Sequence, residues 1–201
     1  VNQMYKKIFV VLGCCLIILG LVGITKASLM PIKAIIGQHY LEVAWKESLK
    51  SNKLSKPWKS ADFYMIGELK VPKLKVSRVI LNSVSGEAMA WSIGRVTNLG
   101  NAIDKQPIIL AGHRDSHMQF MSELNIGDKI ELTMSDGVLT TYIISGTEVS
   151  DKPEVALSSV TLGSESLILT TCWPFNAMKS GDQRYLIFAD KVNVSASIDN
   201  A

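Results

Sequence analysis

The stretch Leu167–Phe175 reads LILTTCWPF, an apolar run typical of a buried β-strand that ends in two threonines and a cysteine before Trp-Pro. Cysteine is scarce in this chain, since the other two, Cys14 and Cys15, lie together near the N-terminus. A lone cysteine in a strand is most often a small buried apolar side chain. Cys172 therefore becomes interesting only if other reactive side chains reach the same strand end.

Short strands are predicted on both sides of this stretch. From Met65 to Val71 apolar and polar residues alternate, and turn sequences such as SDG at Ser135–Gly137 separate the apolar runs that follow. The runs are Val76–Leu81, Pro107–Ala111, Lys129–Met134, Leu139–Val149, Leu167–Thr171 and Tyr185–Val194. Seven or eight short strands with little helix after residue 60 predict an all-β domain, either a barrel or a sandwich.

The N-terminal region has a different character. Ile8–Thr25 runs 18 residues without a charge, which is about the length of a membrane-spanning helix. A signal peptide has a shorter apolar region and a small-residue cleavage site, for which Ala27 and Ser28 are a weak candidate. We expect an uncleaved anchor with a cytoplasmic N-terminus and the following domain outside.

The segment after this run has helical spacing. Between Pro31 and Lys56 an apolar stripe recurs every three or four residues, formed by Ile32, Ile35, Ile36, His39, Tyr40 and Val43. We interpret His39 as a packed or interfacial side chain and not as a ligand. The lysines that follow are typical of a solvated helix face, with contact to anionic lipid or envelope polymer as the alternative. KPW at Lys56–Trp58 predicts the helix end.

These features divide the chain into four parts. We expect a cytoplasmic N-terminus at 1–7, a transmembrane anchor at 8–25, a juxtamembrane helical linker at 26–60 and a β-barrel domain at 61–201. The net charge of +3 is too small to indicate nucleic-acid binding.

Three polar residues stand at the ends of apolar strands. His113 follows PIILAG, Cys172 follows LILTT, and Arg184 opens RYLIF. A nearby cation favours the reactive thiolate of a cysteine, a histidine can protonate a leaving amine, and a guanidinium can stabilise an oxyanion. Taken singly, each of them is more often structural. Together they are sufficient for acyl transfer through a thioester.

Other chemistries have weak support. His113 and His117 are four residues apart, but the stretch is not H-E-x-x-H, and we predict no metal. Signatures of serine hydrolases, C-x-x-C redox sites, papain-type proteases and nucleotide-binding loops do not occur, and we predict no cofactor.

With these residues assembled, the chain resembles the sortase family. The motifs that carry the resemblance are LAGHRDSH at Leu110–His117, LILTTCWPF at Leu167–Phe175 and GDQRYLIFAD at Gly181–Asp190. Arg184 follows Cys172 by 12 residues, and Thr171 directly before the cysteine matches the family pattern. KPWKSADF at 56–63 and SGEAMAWSIGRV at 85–96 are similar to the proteobacterial branch called class GN.

The resemblance implies an eight-stranded sortase-type β-barrel with an N-terminal transmembrane helix and a juxtamembrane helix. It implies a cysteine transpeptidase in which Cys172 is the nucleophile, His113 the general acid and base, Arg184 the oxyanion or substrate donor, and Thr171 part of the substrate site. Its partners would be a surface protein with a C-terminal, LPxTG-like sorting signal and an amine acceptor in the envelope. The catalytic domain would lie on the extracytoplasmic (periplasmic) side of the cytoplasmic (inner) membrane.

Two alternatives remain open at this stage. The barrel could be a non-catalytic module that binds envelope proteins, with Cys172 merely packed. It could also be a cysteine hydrolase that releases the acyl group to water.

Overall fold

The structure is a computed structural model that describes residues 2–51, 53–97, 107–151, 165–177 and 181–192. The chain divides into two units, Val1–Tyr40 and Leu41–Ala201. Two features of the predictions fall on other residues: the end of the last predicted strand at Val194, and the side chains of Ile32 and Ile35. They lie outside what the structure describes.

Helix α1 spans Asn2–Ser51 without a break, so the predicted membrane segment and the predicted juxtamembrane helix belong to one element. Within it, the segment Gln3–Leu21 is apolar enough to cross a membrane, since its mean hydropathy is 2.0 and none of it is buried. A helix of 19 residues is about 28 Å long, close to the hydrocarbon thickness of a bilayer. This segment is consistent with a single-pass anchor.

Among the described residues, eight strands form a closed barrel in the order β1-β2-β3-β4-β7-β8-β6-β5. This confirms the predicted eight-stranded barrel. The strands are β1 (Met65–Val71), β2 (Val76–Leu81), β3 (Ile93–Arg95), β4 (Ile108–Ala111), β5 (Lys129–Met134), β6 (Leu139–Ser150), β7 (Ser166–Cys172) and β8 (Arg184–Lys191).

The barrel interior is filled by alternate residues of the strands, as the period of two predicts. These side chains are almost completely buried and form one apolar cluster. The cluster includes Leu69, Ile80, Leu110, Ile130, Leu132, Leu167, Leu169 and Ile187. On the opposite face of the sheet, Ile109, Ile168 and Leu186 form a smaller buried cluster with Val96 and Phe188. Strands β4, β7 and β8 are therefore buried on both faces, which explains their nearly continuous apolar sequences.

The end of α1 contributes to a third apolar cluster. Leu41, Ala44 and Trp45 are buried there with Phe63 and Met65. The described members of the predicted apolar stripe lie outside this cluster.

On that stripe, Ile36 and Tyr40 are each 51% exposed, Val43 is 49% exposed, and His39 is exposed as well. The helix also ends at Ser51, before the predicted KPW terminus. Packing against Phe63, Met65 and their neighbours decides which residues of this part of α1 are buried.

A short helix α2 at Gly86–Trp91 and strand β3 were not predicted individually. Ser85 caps α2, because its hydroxyl accepts a hydrogen bond from the Ala88 N–H over 3.1 Å. Ser92 ends the helix, and its hydroxyl donates to the Val79 carbonyl over 2.5 Å. These contacts connect β2 to β3, which lies next to β4.

Candidate functional site

Three neighbouring strands of the barrel carry the predicted site residues at the same end. Strand β4 pairs in parallel with β7, and the last pair is Ala111 with Thr170. His113 and Cys172 each lie two residues beyond that pair. On the other side of β7, Cys172 is the direct antiparallel partner of Arg184. The topology therefore brings all three predicted residues to one edge of the barrel.

The alternation of side chains places Cys172 and Arg184 on one face. Cys172 has the same parity in β7 as Ile168, and Arg184 has the same parity in β8 as Leu186. Both of those apolar residues belong to the cluster outside the barrel. The side chains at this strand end therefore project from the outer face of the sheet, and not into the packed interior.

Exposure differs among the three residues. His113 is exposed, whereas Cys172 and Arg184 are half-buried. Cys172 is a free cysteine. A partly accessible thiol beside cationic residues is the environment in which reactive cysteines are found.

Arg184 lies against the backbone of its own preceding loop. Its Nη1 donates to the carbonyl oxygens of Gln183 at 3.0 Å, Asp182 at 3.2 Å and Gly181 at 3.4 Å. The Trp173 N–H in turn donates to the Gln183 carbonyl over 3.0 Å and extends the β7–β8 ladder past Cys172. The loop before Arg184 is thereby fixed to the chain that follows Cys172.

Thr171 connects the strand of Cys172 to the loop of His113. Its side chain is 3% exposed, and its hydroxyl donates to the carbonyl oxygen of Gly112 over 2.8 Å. Gly112 has no room for a side chain, since a Cβ would lie 2.9 Å from Met118 Cγ and 3.0 Å from Ile93 Cγ2. Thr171 was predicted to line the substrate site, and that role stays a prediction. The contact present in the structure fixes the two strand ends to each other.

Three aromatic rings lie beside the strand end. Trp173 stacks on Tyr185 with centroids 5.5 Å apart, and Phe175 meets both rings edge-on at 5.5 and 5.3 Å. Phe175 and Tyr185 also pack against the interior cluster of the barrel. These rings anchor the segment after Cys172 to β8 on the side away from the thiol.

Sequence reasoning missed Arg114, which directly follows His113. It is 4% exposed, and its guanidinium donates to the carbonyl oxygens of Pro174 and Ala177 in the segment after Cys172. The signal was present in the sequence as an arginine followed at once by Asp115 in a short loop. Its partners, however, lie 60 and 63 residues away, and no local pattern identifies them.

His117 contacts helix α2. Its Nε2 is 3.3 Å from the Ala90 carbonyl oxygen, at the end of α2. Burial lowers the pKa of His117 below its ordinary value of 6.5, and the hydrogen bond to Ala90 opposes that shift. Within the part of the chain that the structure describes, no three His, Cys, Asp or Glu side chains form a group able to hold a metal.

Comparisons with known proteins find matches to one family. The sortase domain family matches residues 69–192. Sortase D of Bacillus subtilis is 30% identical over 126 residues, which cover 63% of this chain and 63% of that protein.

Solved structures share the fold. Sortase C-1 of Actinomyces oris has a TM-score of 0.52 at 20% identity, covering 63% of this chain and 71% of that one. A Clostridium perfringens Sortase D5 transpeptidase has a TM-score of 0.53 at 20% identity, covering 74% and 88%.

Proposed function

The chain belongs to the sortase family, and on this premise we propose that it is a membrane-anchored cysteine transpeptidase. It cleaves a C-terminal sorting signal of a partner protein and transfers the new carboxyl end to an amine. The observation that carries the proposal is the direct pairing of Cys172 with Arg184, beside the parallel strand that leads to His113. In this proposal Cys172 is the nucleophile, Arg184 is the oxyanion donor and His113 is the proton carrier.

The first half of the proposed reaction forms a thioester. The Cys172 thiolate attacks the carbonyl carbon of the scissile peptide bond, and Arg184 donates hydrogen bonds to the oxygen that becomes negative. The tetrahedral intermediate collapses, the C–N bond breaks, and His113 gives a proton to the leaving amine. The acyl group remains on Cys172 Sγ.

The second half is the reverse process with a different amine. The incoming amine gives a proton to His113 and attacks the thioester carbonyl, and the C–S bond breaks to restore the Cys172 thiolate. Arg184 again stabilises the oxyanion. To donate to substrate, its guanidinium exchanges the carbonyls of Gly181, Asp182 and Gln183 for the developing negative charge.

The proposed partners follow from this chemistry. The acyl donor is a surface protein that ends in an LPxTG-like signal, and the acceptor is an amine of the envelope. The apolar helix segment Gln3–Leu21 supports a single-pass anchor in the cytoplasmic membrane. The proposed domain bounds, the extracytoplasmic position of the barrel, and membership in class GN stay predictions.

Transfer and hydrolysis are separated by the mass of the product. The full chain in detergent is incubated with a peptide library that is degenerate at the five motif positions, with and without a small primary amine. A transpeptidase gives peptide–amine conjugates that depend on the added amine, whereas a hydrolase gives the free acid in both cases. A non-catalytic binding module gives neither product.

Matched variants assign the roles. Cys172→Ala should abolish both products. Arg184→Lys keeps the charge but loses the planar fork, and Arg184→Gln loses both, so we expect both to be slow and the second to be slower. If either Arg184 variant or His113→Ala reacts at the wild-type rate, that residue has no part in the mechanism.

A further inference from the structure

Arg114 joins the two segments that carry the proposed nucleophile and the proposed acid–base residue. Nη1 donates to the Pro174 carbonyl oxygen over 2.5 Å, and Nη2 donates to the Ala177 carbonyl oxygen over 3.0 Å. Both acceptors follow Cys172 closely in the chain, and Arg114 itself follows His113. The guanidinium thus ties the chain on either side of the site together.

The same guanidinium forms a two-point ion pair with Asp115. Nε lies 2.6 Å from Oδ1, and Nη2 lies 2.9 Å from Oδ2. The pair is uneven, since the Arg114 side chain is 4% exposed and the Asp115 side chain is 70% exposed. Water therefore screens the carboxylate more than the guanidinium, and the positive charge on the protein side of the pair is only partly cancelled.

The charge of Arg114 interacts with that of Cys172. The pKa of Arg114 is raised, chiefly by the hydrogen bond to Asp115 and then by the negative charges of Asp115 and of Cys172. The guanidinium is held at the Pro174 carbonyl, two residues after Cys172, and a cation near a cysteine favours its thiolate form. Lysine cannot replace this side chain fully, because an ammonium group does not present the planar fork that meets three partners at once.

We propose that Arg114 is a positioning residue for Cys172: it holds the segment Pro174–Ala177 against the loop of His113 and supplies a fixed positive charge that favours the thiolate. Asp115 sets the strength of that charge. The relevance of this role to catalysis rests on the proposed function, but its effect on thiol reactivity does not.

Other charged groups also lie near Cys172. His113 and Asp115 follow β4, which pairs with the strand of Cys172, and Arg184 is the direct strand partner of Cys172. All variants below keep His113 and Arg184, so that differences between them report on Arg114 and Asp115.

The test measures alkylation of Cys172 by iodoacetamide at pH 7 in the full chain, solubilised in detergent. Modification is followed at the peptide that contains Cys172, because Cys14 and Cys15 are also free. Arg114→Gln removes the positive charge and should slow alkylation by about threefold or more. Asp115→Asn removes the opposing charge and should accelerate alkylation, and this acceleration should shrink as salt is added.

Arg114→Lys separates the effect of the positive charge from that of the hydrogen bonds to the segment Pro174–Ala177. It should alkylate faster than Arg114→Gln, and we expect its Phe175–Ala177 amides to exchange hydrogen faster than those of wild type. A purely structural role predicts the same direction of change for Arg114→Gln and Asp115→Asn. The proposal is overturned if Asp115→Asn leaves the alkylation rate unchanged or lowers it.

Two controls are needed to interpret the alkylation rates. Circular dichroism and the melting temperature show whether Arg114→Gln folds; if it does not, Asp115→Asn alone decides, because that carboxylate is exposed. Alkylation needs no peptide substrate. If Arg114→Gln slows alkylation and Asp115→Asn accelerates it, but the protein forms no transpeptidation product, the proposed function is wrong and this inference stands. If the protein forms transpeptidation product but the two variants do not change alkylation in opposite directions, this inference is wrong and the proposed function stands.

Discussion

The Thr171 hydroxyl donates a hydrogen bond of 2.8 Å to the carbonyl oxygen of Gly112, the residue directly before His113. This bond crosses from β7 to the end of β4 at the point where their ladder stops. It sets the spacing between the two strand ends that carry Cys172 and His113.

Replacing Thr171 by valine should therefore weaken both the fold and the site. Valine has nearly the same shape but leaves the buried Gly112 carbonyl without this partner, which costs about 1–3 kcal/mol of unfolding free energy. Thr171→Ser keeps the hydroxyl and should lose less. Chemical denaturation of both variants measures the difference, and equal stability of the two would show that the hydrogen bond does not matter.

Gly181 should not tolerate a side chain. A Cβ at this position would lie 2.8 Å from the Trp173 carbonyl oxygen, so the segment after Cys172 or the loop before Arg184 must move. We expect Gly181→Ala to lose about 1–3 kcal/mol of stability and to lower the reaction rate.

The matched control is Gly146→Ala in β6, where the nearest atom to an added Cβ is Phe188 Cδ2 at 4.0 Å. Thermal melts and product formation are compared for the two variants. The interpretation fails if Gly181→Ala matches wild type, or if Gly146→Ala is equally impaired.

His117 should make stability depend on pH between neutrality and mild acid. Its folded-state pKa lies below 6.5 because burial disfavours the charged ring, so the unfolded chain takes up the proton first as the pH falls. The stabilising contribution of the neutral ring is complete above 6.5 and is lost as the pH falls through the folded value. Wild type should therefore lose more stability than His117→Gln on going from pH 7.5 to 5.

The measurement is the melting temperature of both proteins over that range in the same detergent. Carboxylates and other groups titrate in both proteins, and the difference between the two curves removes their contribution. A difference that stays constant with pH would contradict the assigned shift.

Much of the barrel could be predicted from sequence because its strands are short, apolar and separated by turns. The predicted limits of β2 and β5 agree with the structure. Strand β7 is one residue longer at each end than predicted, since it begins at Ser166 and ends at Cys172. Strand β3 was missed because three residues are too few to show a period of two. Helix α2 was missed because six residues span less than two helical turns.

The site was partly predictable for a similar reason. His113, Cys172 and Arg184 carry side chains that ordinary strand ends do not need, and the order of neighbouring strands brings them together. Arg114 could not be assigned, because its role depends on backbone carbonyls far away in sequence. The burial of Leu41 and Trp45 could not be predicted from the helical period, because packing against Phe63 and Met65 selects them.

The central claim is that Cys172 carries the acyl group during transfer. The full chain is mixed with a reactive sorting-signal peptide found in the library screen, quenched in acid during turnover and analysed by intact and peptide mass. The account predicts a transient acyl adduct on the Cys172 peptide that an added amine removes, and no adduct or product with Cys172→Ala. Product formation at the wild-type rate by Cys172→Ala, or an adduct on another residue, would contradict it.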